Sequence, residues 1–356
     1  MRSFAATTAL LVALLAAQAR PAVAINDPLG SGTTRIVLDK RFARFLEQEG
    51  IELSAKTGAK RRGAALVLPI SGGSLDPTIG RGEIENAGSL VFQNGRRRLP
   101  LRQLVVKTKR TPLIAKVGGS QLKVATAAKI DSSRQGFGTA FTAQKLRLSA
   151  KVATRLNKKL RPAVPFASGQ PLGKLISRAQ PQTIAILGTG AATVSIDPAF
   201  VAKLDAHFVS LNPIAPAQRA PGPVFSFPII GGGRLSPDAL SGTLRSAGAL
   251  EFLQLGSGQV FWTEPWFDLG LHQTLAEADV EPAPTYPGKL GQVPVLDLGP
   301  GTTDADPNAR TISLGAAALS LPAAVAAYFN QAFAEGRPDF VPGEPVGSLS
   351  FTAQAQ

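Results

Sequence analysis

The stretch GEIENAGSLVF (residues 82–92) returns later in the chain as GTLRSAGALEF (residues 242–252). Glycine, a branched apolar residue, Ala-Gly, leucine and phenylalanine stand in the same register in both. The first copy lies in a segment that reads as a β-strand, and its return asks how much else is duplicated. Upstream, LDKRFARFL (38–46) matches IDPAFVAKL (196–204), and LPISGGSLDP (68–77) matches FPIIGGGRLSP (227–237) with one residue inserted in the glycine turn. Downstream, LRLSAKVATRLN (146–157) matches LSLPAAVAAYFN (319–330), and FASGQPLGKL (166–175) matches FVPGEPVGSL (340–349). Order and spacing are kept, so the chain is a tandem duplication of a unit of roughly 160 residues.

A unit of that size buries its own core, so two similar domains in series are expected, 25–190 and 191–356, with the boundary in the Gly-Thr-Gly stretch. Gly and Pro are abundant, at 36 and 28 of 356 residues, and short Val, Ile, Leu and Thr runs are broken by turn residues. That punctuation suits a sandwich or a barrel. Within the first unit we expect a helix at 39–49, strands near 64–70, 81–92, 99–107 and through 121–148, and a second short helix near 150–160. Asp39 and Asp197 each stand three residues before a Phe, placed to cap a short amphipathic helix whose apolar face uses Phe42, Phe45 and Leu46, or Phe200 and Leu204.

The N-terminus, MRSFAATTALLVALLAAQARPAVA (1–24), has a positive residue at Arg2, an apolar run and small residues at Ala22 and Ala24. It reads as a secretory signal peptide cleaved after Ala24, with Ala19 the alternative. The apolar run is shorter than the roughly 20 residues a spanning helix requires. The mature chain is therefore expected to be secreted or associated with the cell surface. Cysteine is absent, which excludes disulfides, thiolate metal sites and cysteine nucleophiles.

Charge divides between the copies. Residues 25–190 carry 29 Lys and Arg against 9 Asp and Glu, about +20, whereas residues 191–356 carry 7 against 15, about −8. The apolar skeleton is shared and the charge is reversed, so the charge serves something other than the fold. In the first copy the runs AKRR (59–62), GRRRL (95–99), KTKR (107–110) and NKKLR (157–161) are candidates for a face that takes an anionic partner such as a cell-envelope polymer. Arg96, Arg97, Arg98, Lys107, Lys109 and Arg110 are the candidate anion-binding residues.

The order of helix, F-P-I-x-G-G, G-x-[ILV]-x-x-x-G-x-L-x-F, L-x-x-x-[VA]-A-x-x-L-N and F-x-x-G-x-P-x-G resembles the Htaa domain, a secreted bacterial module typified by haem-binding surface proteins. The resemblance covers nearly the whole mature chain, once per copy. It implies a mainly β fold of two tandem β-sandwich-like domains, each with two short α-helices, and haem as cofactor, or another small apolar or anionic ligand as partner. It also implies a tyrosine on the first helix that holds iron and a histidine before the G-x-L strand that supports it. Those positions fall at or beside Phe45 and Asn86 in the first copy, and Lys203 and Ser246 in the second. Ferric haem is gripped by an axial oxygen, nitrogen or sulfur donor. Phe offers no lone pair, Lys must surrender its proton, and Asn and Ser are poor iron donors. His207, one helical turn after Lys203, is the remaining candidate ligand on that helix. His272 is expected in a strand, Tyr286 in a Pro-rich loop and Tyr328 on the late helix.

No catalytic constellation emerges. Both histidines lie in the second copy, so a His-based triad cannot exist in the first. Asp297, Asp304 and Asp306 fall short of a calcium loop and read as an acidic loop. The expectation is a non-enzymatic, secreted tandem binding module; the alternative is an envelope-interaction protein whose basic first domain binds an anionic polymer.

Overall fold

A computed structural model describes residues 26–108, 112–255, 258–281 and 289–356. The expected signal peptide, Lys109, Arg110 and Tyr286 lie outside the described residues. The first half runs β1 (Asp27–Leu38), α1 (Lys40–Gln48), β2 (Glu52–Lys56), β3 (Lys60–Arg62), β4 (Ala65–Leu75), β5 (Gly82–Asn94), β6 (Arg97–Lys107), β7 (Pro112–Val117), β8 (Ser120–Thr126), β9 (Lys129–Gln135), β10 (Gly138–Leu148), α2 (Ala150–Leu160) and β11 (Pro171–Pro181). The second repeats it: β12 (Ile184–Ile196), α3 (Pro198–Ala206), β13 (Val209–Ile214), β14 (Gln218–Ala220), β15 (Val224–Leu235), β16 (Gly242–Ser246), β17 (Ala249–Gln254), β18 (Gly258–Asp268), β19 (Gln273–Glu281), β20 (Lys289–Leu298), β21 (Thr302–Asp306), β22 (Thr311–Ser320), α4 (Ala323–Phe333) and β23 (Pro345–Ala355). Only one element differs, since β16 and β17 together take the place of β5.

Each half closes on itself. The order β5-β6-β7-β8-β10-β11-β1-β4 returns to β5, and β18-β16-β15-β12-β23-β22-β20-β19 returns to β18, all antiparallel. These are two eight-stranded, barrel-like sheets rather than the sandwich-like domains expected. Closure leaves no free edge on the ring, where a sandwich leaves edges on both sheets.

The repeated stretch makes this closure possible. Strand β5 pairs with β4 from Gly82 to Asn86 and then with β2 from Ser89 to Gln93. The change of neighbour falls on Ala87-Gly88. Gly88 has φ +93, and a Cβ there would lie 2.8 Å from the backbone nitrogen of Ala59. Gly248 repeats the geometry with φ +100 and 2.5 Å to the nitrogen of Ala217, as β16 on β15 gives way to β17 on β13. Left-handed backbone and close approach together require glycine.

Helix capping follows the sequence. Asp39 accepts from the Arg41 amide at 2.8 Å, and Asp197 accepts from that of Ala199 at 2.8 Å. Phe42 and Leu46, and their counterparts Phe200 and Leu204, are buried, while Phe45 is only half-buried against the core. Ser149 caps α2, which buries Val152, Ala153, Leu156 and Leu160.

The change of sheet falls at Gln182 and Thr183, and the expected boundary at 190 lies inside β12. The glycines of Gly188 to Gly190 are part of that strand, not a linker. Each barrel has its own core, with one exchange: Phe137, from the β9–β10 turn, joins the second barrel's core. The barrels also share an ion pair with a buried carboxylate. Asp27 is 2% exposed, and its Oδ1 accepts from Arg234 Nη2 at 2.8 Å and from the Ala185 amide at 3.1 Å.

Burial pushes the Asp27 carboxyl above its ordinary value, against the opposing pull of the Ala185 amide and Arg234. The folded chain therefore binds this proton where the unfolded chain has lost it, and the group subtracts stability as pH rises through its raised value. Asp27→Asn should remove that slope. Thermal midpoints of variant and parent, measured from about pH 4 to about pH 8, should separate as pH rises; parallel curves would contradict the assignment.

Candidate functional site

One end of each barrel is covered by its first helix and by the loop after its second, residues 161–170 in the first half and 334–344 in the second. A single asparagine at the end of the second helix fixes each loop. Asn157 Oδ1 accepts from the Phe166 amide at 2.7 Å, and its Nδ2 donates to the Phe166 carbonyl at 2.9 Å. Asn330 does the same for Phe340, at 2.7 and 2.8 Å. Both bonds engage the backbone of one residue, so the clamp sets where its ring points. Here the final L-N or F-N of the helix motif and the leading Phe of the loop motif gain their reason.

Beneath the clamped Phe the copies diverge. In the first barrel Phe166 meets Phe45 edge-on with centroids 5.0 Å apart, and also Phe92 at 6.2 Å and Phe42 at 6.3 Å. The Val164 amide donates to Glu49 Oε2 at 3.0 Å, drawing the loop onto α1. The place expected for an iron donor is an aromatic contact. In the second barrel Lys203 Nζ donates to the Asp339 carbonyl at 3.1 Å and to Glu344 Oε2, and lies 5.7 Å from the Phe340 ring centroid. His207 packs on Phe340 at 5.3 Å, with Nε2 3.4 Å from Asp339 Oδ2 and 12% of its side chain exposed. Both candidates are committed to the loop that covers them.

Asn86 and Ser246 do not join this group. Asn86 Nδ2 donates to the carbonyl of Leu104 at 3.1 Å and that of Ile84 at 3.3 Å, and Ser246 Oγ donates to the carbonyl of Pro265 at 2.7 Å. Leu104 and Pro265 each follow a residue with left-handed backbone, Gln103 and Glu264, both with φ +48, where β6 and β18 slip register. The two positions therefore perform one task, tying the split strand to the bulge facing it. Asn86 also lines a cavity of about 470 Å³ with Ser71, Glu85, Gln103 and Gln121. The larger concavity of about 610 Å³ lies elsewhere, between β21 and Gly190, Thr193 and Thr352 of the second barrel.

The basic candidates separate as well. Arg96, Arg97 and Arg98 stand exposed at the β5–β6 turn. Lys107, at the other end of β6, pairs with Glu83 at 2.6 Å. Ten residues of strand place it about 30 Å from Arg97. His272 occupies a turn with φ +55 rather than a strand, because Leu269 to His272 reverse the chain between β18 and β19. Asp306 Oδ1 accepts from the amides of Asn308 and Ala309, at 2.7 and 3.0 Å, and so serves its own turn. Among the described residues no group of three or more His, Asp or Glu is placed to hold a metal ion.

Sequence reasoning did not single out Asn157 and Asn330. The signal was present: a polar side chain kept at the same place in both copies of an otherwise apolar helix end.

No family model matches the sequence, and no curated protein matches it. Among solved structures the chain is similar to the C-terminal domain of HtaA from Corynebacterium glutamicum, with 16% identity and a TM-score of 0.37, over 49% of this chain and 99% of that one. A domain-swapped dimer of a variant of the same domain gives 16% identity and a TM-score of 0.34, over 44% of this chain and 90% of that one.

Asn157→Ala and Asn330→Ala each orphan an amide and a carbonyl, at a cost of about 1–3 kcal/mol. Amide exchange at Phe166 or Phe340 should quicken selectively in the matching variant. A loss of stability with unchanged exchange there would show that the clamp does not hold the loop.

Proposed function

We propose that the chain is a secreted, non-enzymatic binding protein made of two Htaa-like barrels, and that its capped ends are not configured for haem. The observation that carries this reading is the pair of clamped loops: the same asparagine fixes the same Phe in both halves while the side chains beneath it differ in kind. A duplicated cap with unlike linings suits recognition, which tolerates exchange of contact residues on a fixed scaffold.

The residues present do not fit the group that the resemblance implies. Phe45 has no donor atom, and Lys203 is already engaged by Glu344. Asn86 and Ser246 spend their donors on bulge carbonyls. His207 carries the remaining imidazole of this region, and it lies against Phe340 and Asp339. Secretion rests on the N-terminal sequence; no helix among the described residues is long and apolar enough to cross a membrane.

Titration of the purified chain with haemin tests this directly. The expected result is the broad absorbance of unligated haemin with no sharp Soret band at equimolar addition. A sharp band that disappears in His207→Ala would overturn the reading and make His207 an axial ligand.

A further inference from the structure

Two of the basic runs that are distant in sequence meet in the fold. The β5–β6 turn lies against the C-terminal end of α2, where Asn94 Nδ2 donates to the Leu160 carbonyl at 3.2 Å and Arg97 Nη1 reaches the same oxygen at 3.4 Å. This contact sets Arg96, Arg97 and Arg98 beside Lys158, Lys159 and Arg161, all six exposed. Among the described residues none of the six forms an ion pair.

The second barrel supplies an internal control. There Gln254, the counterpart of Asn94, donates through Nε2 to the carbonyl of Phe333, the counterpart of Leu160, at 3.4 Å. The contact of strand end and helix is thus built again, yet the sequence that follows the strand is Leu255-Gly256-Ser257-Gly258-Gln259, and Gln331, Ala332 and Ala334 replace Lys158, Lys159 and Arg161. The architecture forms without any of the six cations. Cations near a helix C-terminus favour its dipole by a fraction of a kcal/mol, but this does not account for three arginines on the adjoining turn.

We propose that this basic ridge binds a linear phosphate-bearing polymer. The inference rests on the reading of the chain as a binding protein but concerns a different surface from the capped mouth. The ridge is a turn beside a helix end, and none of its cations lines the cavities described above. A small anion would find no enclosure there. A polymer needs none, because weak exposed contacts add along its length through release of condensed counterions. Four of the six cations are arginines, whose planar forks match phosphate oxygens. Charge reversal between the halves then has a local meaning: the first barrel carries the docking ridge and the second carries the same ridge neutralised.

The test uses the full chain with long-chain inorganic polyphosphate, poly-L-glutamate and anionic phospholipid vesicles, each across a salt series. Two variants remove five of the six cations, the turn's in R96S/R97Q/R98Q and two of the helix end's in K158Q/K159A. A third, K60Q/K129Q/R178Q, removes three exposed charges elsewhere. Polyphosphate binding should weaken steeply with salt and fall about tenfold in each ridge variant, with the log–log salt slope reduced by roughly one per contact removed. The third variant should stay within about twofold of the parent, and melting curves confirm that all remain folded. Salt-independent binding, an equal loss in the third variant, or preference for polyglutamate or vesicles would overturn the proposal. The haemin titration reads the capped mouth alone, so the two readings fail separately.

Discussion

The structure depends on one strand changing its neighbour halfway along. In each half the Ala-Gly pair lets the chain leave one partner and take up another at a backbone conformation that side chains resist, with no room for a Cβ. The first part of the strand then closes the eight-stranded ring, and the second part runs out along β2 or β13 beneath the helices. Asn86 and Ser246 stand immediately before the pivot and fasten it to the bulge across from it. Positions where the resemblance expects a ligand-supporting side chain are here occupied by residues that hold the backbone in shape.

Beyond that constraint the two copies are free to differ, and the differences are concentrated. The clamp from helix end to loop is identical in chemistry, down to two bonds on one backbone residue. What lies beneath it is aromatic throughout in the first barrel, whereas in the second Lys203 and His207 join Phe200 and Phe329. The contact of strand end and helix is likewise repeated, with cations in one barrel and neutral residues in the other. Where both copies keep a residue the fold demands it; where they part, the fold permits a choice that recognition can use.

Much of this was legible in the sequence because it is written twice. The helices at Lys40–Gln48 and Ala150–Leu160, the Asp caps of the first helix in each half, and the central strands follow from local pattern. The closed ring does not. Closure is a statement about which strand pairs with which, and a bulge that redirects a strand looks in sequence like any Ala-Gly turn. Strand β11 also escaped notice, since its apolar residues Leu172, Leu175, Ile176 and Ala179 lack the strict alternation of a strand. Of the candidate site residues, Phe45, Lys203 and His207 lie under the loop, whereas Asn86 and Ser246 face the bulge. The basic runs could be counted but not grouped, because the bonds from Asn94 and Arg97 to the Leu160 carbonyl bring two of them together in the fold while β6 carries Lys107 away.

The central claim is the change of partner at Ala-Gly, and backbone NMR reads it most directly. Cross-strand proton contacts should link Ile84 to Gly73 on one side of Gly88, and Leu90 to Ala55 on the other, with matching pairs around Gly248. If residues 82 to 93 instead keep a single partner throughout on the side opposite β6, the ring is open and the account of both barrels is wrong.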